Sequence, residues 1–159
     1  MLGAWDVSQG AGVNVAVIDT GYRPHADLAA NVVGGYDMIS DTAVSNDGNA
    51  RDADAADPGD YTAANQCAPG EPATSSSWHG THVAGLVHLA APNARVLSIR
   101  VLEEDGKGQS FTIARGMHVL RELCAAVMLV GAAPVLAQDV ASLRPADRNG
   151  TVVHLQPIA

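Results

Sequence analysis

Within residues 75–85, SSSWHGTHVAG, His79 and His82 stand three apart among small residues. Three chemistries are open to such a stretch. A helix would bring both imidazoles to one face, as a zinc site requires. Zinc, however, takes three or four ligands, and the zinc-protease helix carries a glutamate between its histidines, where Gly80 and Thr81 stand here. A helical histidine can also simply pack, the reading given to His88 and His118. The third chemistry is acid–base: an imidazole with one nitrogen held by a carboxylate offers the other as a proton acceptor. The carboxylate that suits this role is Asp19, in the triplet Asp19-Thr20-Gly21. That triplet has a rival reading, because aspartic proteases carry their carboxylate in an Asp-Thr-Gly. Two carboxylates must then share a proton, so a single copy would need a homodimer that pairs two Asp19 residues.

Both residues need elements to hold them. GVNVAVIDTG (12–21) reads as a buried strand with Asp19 at its carboxyl end, where ligands bind in open α/β sheets. Residues 40–77 are poor in large apolar side chains and rich in Asp, Asn, Ser and Pro, which predicts a long surface excursion. GTHVAGLVHLA (80–90) has helical spacing at Val83, Leu86 and Val87. In NARVLSIRVL (93–102), Leu97, Ile99 and Val101 alternate against Ser98 and Arg100, predicting a second strand. GKGQS makes a loop, and Ser110 can cap a helix with Ile113, Met117 and Leu120 on one face. Strand, excursion, helix, strand, helix is the order of a parallel α/β sheet.

Composition narrows the function. A chain of 159 residues is long enough for one domain with a core, and 47% hydrophobic against 4% aromatic content suits an Ala/Val-rich α/β domain. A net charge of −8, with the acids concentrated before residue 61, repels phosphate backbones and sets nucleic acid aside as a partner. Residues 123–137 are uncharged but too short for a membrane span, and read as a buried helix followed by a strand. The start of the chain reads as strand-like almost at once, with no N-terminal signal peptide. Cys67 and Cys124 permit one disulfide, and their number leaves both the pairing and the compartment open. From residue 138 little periodicity remains beyond one short strand at 151–155, and NGT at 149–151 fits a glycosylation sequon.

AWDVSQGAGVNVAVIDTGYRPHADL and HGTHVAGLV resemble the first two signature blocks of the subtilisin-like serine proteases, and ARVLSIRVLEEDGKGQS resembles that family's next strand and substrate-lining loop. The blocks stand in the family's order, Asp before His. The resemblance implies a parallel-sheet α/β fold, with Asp19 as the orienting acid and His79 as the general base. It also sets Leu102, Gly106 and Gly108 along an edge that pairs with an extended peptide or protein substrate; for the two glycines, plain loop flexibility is an equal reading. The reaction needs no cofactor. Asp47, Asp52, Asp54 and Asp57 in the acidic excursion could offer oxygens to a structural calcium ion, against a simpler reading as a solvated loop. Secretion, to the cell exterior or the periplasm, is the expected location.

The family's third block is not found. None of the serines at 8, 40, 45, 75, 76, 77, 98, 110 and 142 stands in a Gly-Thr-Ser or Gly-x-Ser-x-Gly context. Residues 1–120 therefore read as the N-terminal portion of a subtilisin-like catalytic domain, truncated after roughly its first half, and 121–159 as a divergent apolar segment and tail. The expected function is serine endopeptidase by family, inactive as this chain alone and open to completion by a C-terminal fragment. The alternatives are a non-catalytic peptide-binding half-domain and the homodimeric aspartic protease.

Overall fold

The computed structural model describes residues 2–103, 106–129 and 152–153. In chain order these form helix α1 (Leu2–Trp5), strands β1 (Asn14–Asp19) and β2 (Val32–Asp37), helices α2 (Thr42–Ser45) and α3 (His79–Ala90), strands β3 (Arg95–Arg100) and β4 (Gly108–Gln109), helix α4 (Ser110–Leu129) and strand β5 (Val152–Val153). The fold is the expected α/β arrangement: β1, β3 and β2 make a parallel sheet with β3 in the middle, and β4 pairs antiparallel with β5.

The central place of β3 explains its composition. Val96, Ser98 and Arg100 point to one side and Ile99 to the other, yet all four are buried. The alternation in this strand therefore marks two covered faces, not a dry face and a wet one. On one side Val17, Leu28, Val96 and Ala84 pack together, with Val83 and Val87 of α3 against them. On the other, Tyr36, Met38, Ile99, Val101 and Leu102 pack with Val119 of α4.

Three expectations change. Strand β2 was not foreseen, because its sequence VVGGYD contains two glycines and its register against β3 shifts between Val32 and Gly35, which breaks the period-two pattern. Within α3 the buried positions are Gly80 and Ala84, while Leu86 is 64% exposed. In α4 Ile113 and Leu120 pack against the core as expected, but the buried positions are Thr112, Gly116 and Val119, and Met117 turns outward at 53% exposure. Both helices thus sit one position round from the face that the largest apolar residues suggest, because small residues let them approach the sheet.

The excursion is less superficial than its composition implies. Ala55, Asp57 and Thr62 are buried within it, and it is tied down by bridges between Tyr22 and Ala56 and between Thr62 and Thr74. Helix α4 passes through residue 120 without a break. Residues 130–137 of the uncharged run, and the sequon at 149–151, lie outside the described residues. No helix among the described residues is long and apolar enough to cross a membrane. Cys67 is an exposed free thiol.

Candidate active site

Parallel pairing aligns the carboxyl ends of three strands. Asp19 is opposite Arg100, and Arg100 is opposite Asp37, so three charged residues share the last row of the sheet. Asp19 is held from below: its carbonyl accepts from Val101 N (2.9 Å) and Leu102 N (3.3 Å), and its Oδ1 accepts from Thr20 N at 2.7 Å.

Helix α3 delivers His79 to this carboxylate. Trp78, before the helix, lies in the left-handed region (φ 52°) and supplies no side-chain cap. Gly80 then settles onto the end of β1, where an ideal Cβ would run into the Gly21 carbonyl oxygen. No other residue allows that approach, so the small residue after His79 places the ring over Asp19. Nδ1 of His79 lies 2.8 Å from Oδ1 and 2.9 Å from Oδ2 of Asp19. The Asp19 side chain is 10% exposed and that of His79 46%. A carboxylate accepts only, so the bonded Nδ1 carries the proton and Nε2 is the nitrogen left with a lone pair. A half-open imidazole held by an enclosed carboxylate can take a proton at Nε2 from a group brought to the open side.

Other readings of these residues lose their footing. His82 is exposed, and among the described residues no three His, Cys, Asp or Glu side chains gather as a metal-holding group, so the zinc pair is not formed. Both oxygens of Asp19 face His79 Nδ1, and Oδ1 also accepts from Thr20 N, so within this chain its side-chain partner is an imidazole and not the second carboxylate that the aspartic-protease reading needs.

The four excursion aspartates do not converge either. Asp47 Oδ2 binds Arg100 at 2.7 Å, and Asp52 accepts from Asn49 Nδ2 and Asp54 N. Asp54 accepts from Ala56 N, and Asp57 from the Thr20 hydroxyl and Gly59 N. Arg100 also pairs with Asp37 at 2.6 Å and donates to the Ser45 carbonyl. Burial pushes the Asp37 carboxyl up to about 7, against the pull of Ile39 N and Arg100. Asp47 is held below the ordinary carboxylate range: burial opposes this, but Ser45, Asn49 N and Arg100 favour its charge. Sequence reasoning missed the Arg100 cluster, whose only signal is an arginine inside a buried strand.

Along the proposed substrate edge the three residues differ. Leu102 has its side chain in the core at 4% exposure, so only its main chain can serve an edge. Gly106 turns the chain with φ 71°. At Gly108 an ideal Cβ would meet Leu102 Cδ2 and the Val101 carbonyl oxygen at 2.8 Å each, so this glycine answers to close packing rather than flexibility. Gly108 pairs with Val153 of β5.

The profile of the subtilase family matches residues 10–129. An extracellular protease of Xanthomonas campestris pv. campestris is 53% identical over 113 residues, covering 65% of this chain and 20% of that protein. An extracellular basic protease of Dichelobacter nodosus is 37% identical over 129 residues, 72% of this chain and 21% of its own length. A solved protease structure from Pseudoalteromonas arctica superposes with a TM-score of 0.67 at 54% identity, covering 72% of this chain and 36% of that one. The chain thus spans about a fifth of the length of these two curated relatives.

Proposed function

The chain belongs to the subtilase family, and on that premise we propose that Asp19 and His79 are the orienting acid and the general base of a serine endopeptidase. The observation that carries this reading is the two-oxygen grip of Asp19 on His79 Nδ1, at 2.8 and 2.9 Å. It holds the ring in the tautomer whose Nε2 can take the proton of a serine hydroxyl as that oxygen attacks a peptide carbonyl. The positive charge that then forms on the imidazole is met by the enclosed carboxylate.

The serine is supplied from elsewhere. Among the described residues no serine hydroxyl is hydrogen-bonded to His79: Ser77 Oγ donates to Asp60, and Ser45 Oγ donates to the Asn49 carbonyl. None of the chain's serines stands in a Gly-Thr-Ser context, which supports the reading that the 159 residues alone turn over no peptide and that a segment carrying the nucleophile completes the site. Relatives named extracellular proteases support secretion.

A fluorophosphonate probe separates the possibilities. The isolated chain is expected to stay unlabelled, and the chain mixed with the serine-bearing segment of the Xanthomonas relative should label on that segment only while His79 is present. Labelling of the isolated chain that His79→Ala abolishes would overturn the dependence on a second segment. A second reading, peptide binding without turnover, is favoured by β4, whose main chain already pairs with an extended segment. Binding of an extended peptide that survives both His79→Ala and addition of the missing segment, with no cleavage, would support it.

A further inference from the structure

Behind the Asp19–His79 pair lies a second layer of buried polar groups. Thr20 follows the acid and Gly80 follows the base. The Gly80 amide donates to Thr20 Oγ1 at 3.0 Å, and Thr20 Oγ1 donates to Asp57 Oδ2 at 2.7 Å. Thr20 is 3% exposed and Asp57 8%. The direction of this chain of bonds is fixed, because an amide can only donate and the hydroxyl has one hydrogen, which goes to the carboxylate. Asp57 is itself anchored: Oδ1 accepts from Gly59 N at 2.9 Å, and its amide donates to the Tyr22 carbonyl at 3.1 Å.

The chain of bonds ends on a helix terminus that lacks its usual cap. The first amides of a helix have no partner within it and take one from a capping side chain. Trp78 offers none to α3, and Thr20 reaches over from the end of β1 to fill that place. We propose that Asp57 is a positioning residue for the Asp19–His79 pair, acting through the Thr20 hydroxyl on the Gly80 amide. This rests on the reading of that pair as the acid and base.

The physical argument concerns the hydroxyl hydrogen. With Asp57 present, Thr20 is locked with its lone pair toward Gly80. Without an acceptor the buried hydroxyl rotates to find another, and the Gly80 amide loses its partner. The first turn of α3 loosens, and His79 is the residue that this turn holds over Asp19. Burial raises the Asp57 carboxyl and the Thr20 hydroxyl bond lowers it. Asp57 accepts with both oxygens, from Thr20 and from Gly59 N, so asparagine, with one acceptor, cannot replace it; Thr20→Ser, which keeps the hydroxyl, is the conservative variant.

The test reads the His79 ring directly, in the full chain labelled uniformly with ¹⁵N. In the parent, proton–nitrogen correlations of the imidazole should show the Nδ1–H tautomer, and Asp19→Asn should disturb it. Asp57→Ala and Thr20→Val are expected to lose the single-tautomer pattern and to speed Gly80 amide exchange about fivefold, the equivalent of one hydrogen bond. Thr20→Ser, which keeps the hydroxyl between Gly80 N and Asp57, should retain both. Retention of the parent pattern and of Gly80 protection in Asp57→Ala, with the other amide signals in place, overturns the proposal and leaves the acid–base reading standing. If Asp57→Ala does not fold, Thr20→Val against Thr20→Ser decides in the same way. A parent spectrum without the Nδ1–H tautomer sinks the acid–base reading, and the proposal with it.

Discussion

Two carboxylates in the same row of the sheet have opposite fates. Asp19, at the end of β1, and Asp37, at the end of β2, flank Arg100 on the strand between them. Asp37 is fully enclosed and paired with a guanidinium that never gives up its charge. Asp19 is nearly as enclosed, but its side-chain partner is an imidazole that stands half in solvent. The first pairing can only hold structure, tying the excursion to the sheet through Asp47 and Ser45. The second, on the proposed reading, moves a proton. Neighbouring positions on one scaffold thus become a buried brace or a half-open acid–imidazole pair according to the partner that covers them.

Mutations test the two fates separately. Arg100→Met should have the largest effect, leaving Asp37 buried without its cation; a loss of about 3–5 kcal/mol in urea unfolding is expected. A loss under about 1 kcal/mol would place Arg100 outside the brace. Gly80→Ala comes next, at about 1–3 kcal/mol from overpacking against Gly21, accompanied by displacement of His79. Crystallography of that variant with the Asp19–His79 contact unchanged would show that close approach is not what places the ring.

A pH effect follows from the brace alone. Asp37 titrates near 7 when folded and near 3.8 when unfolded, so the native chain holds the extra proton between those values. Its contribution to stability is then fully present below about pH 4 and lost as pH rises through about 7. Melting temperatures of Asp37→Asn should fall less steeply than the parent's across that window, and a parallel decline would contradict the assignment. The smallest effects are expected at Leu86→Gln and Met117→Gln, within about 0.5 kcal/mol because both side chains face outward. A loss of 2 kcal/mol at either would mean that the face is covered.

Much of this was legible from residue types. β1, β3 and α3 follow from apolar runs and spacing, and the pairing of Asp19 with His79 follows from the chemistry each needs. Less legible were features set by three-dimensional fit. Strand β2 hides behind Gly34 and Gly35, and the inward faces of α3 and α4 are chosen by Gly80, Ala84 and Gly116 instead of Leu86 and Met117. The excursion aspartates look alike along the chain. Only the fold separates Asp47, which neutralises Arg100, from Asp57, which accepts from Thr20.

The most direct test of the acid–base pair grafts residues 10–129 in place of the matching stretch of the Xanthomonas relative and assays the secreted chimera on a peptide substrate. The account predicts cleavage that falls by about 10⁶ in turnover with His79→Ala and by about 10⁴ with Asp19→Asn, magnitudes carried over from subtilisin, a family member, and from the trypsin triad respectively. A folded, active chimera that keeps its rate in His79→Ala would contradict it.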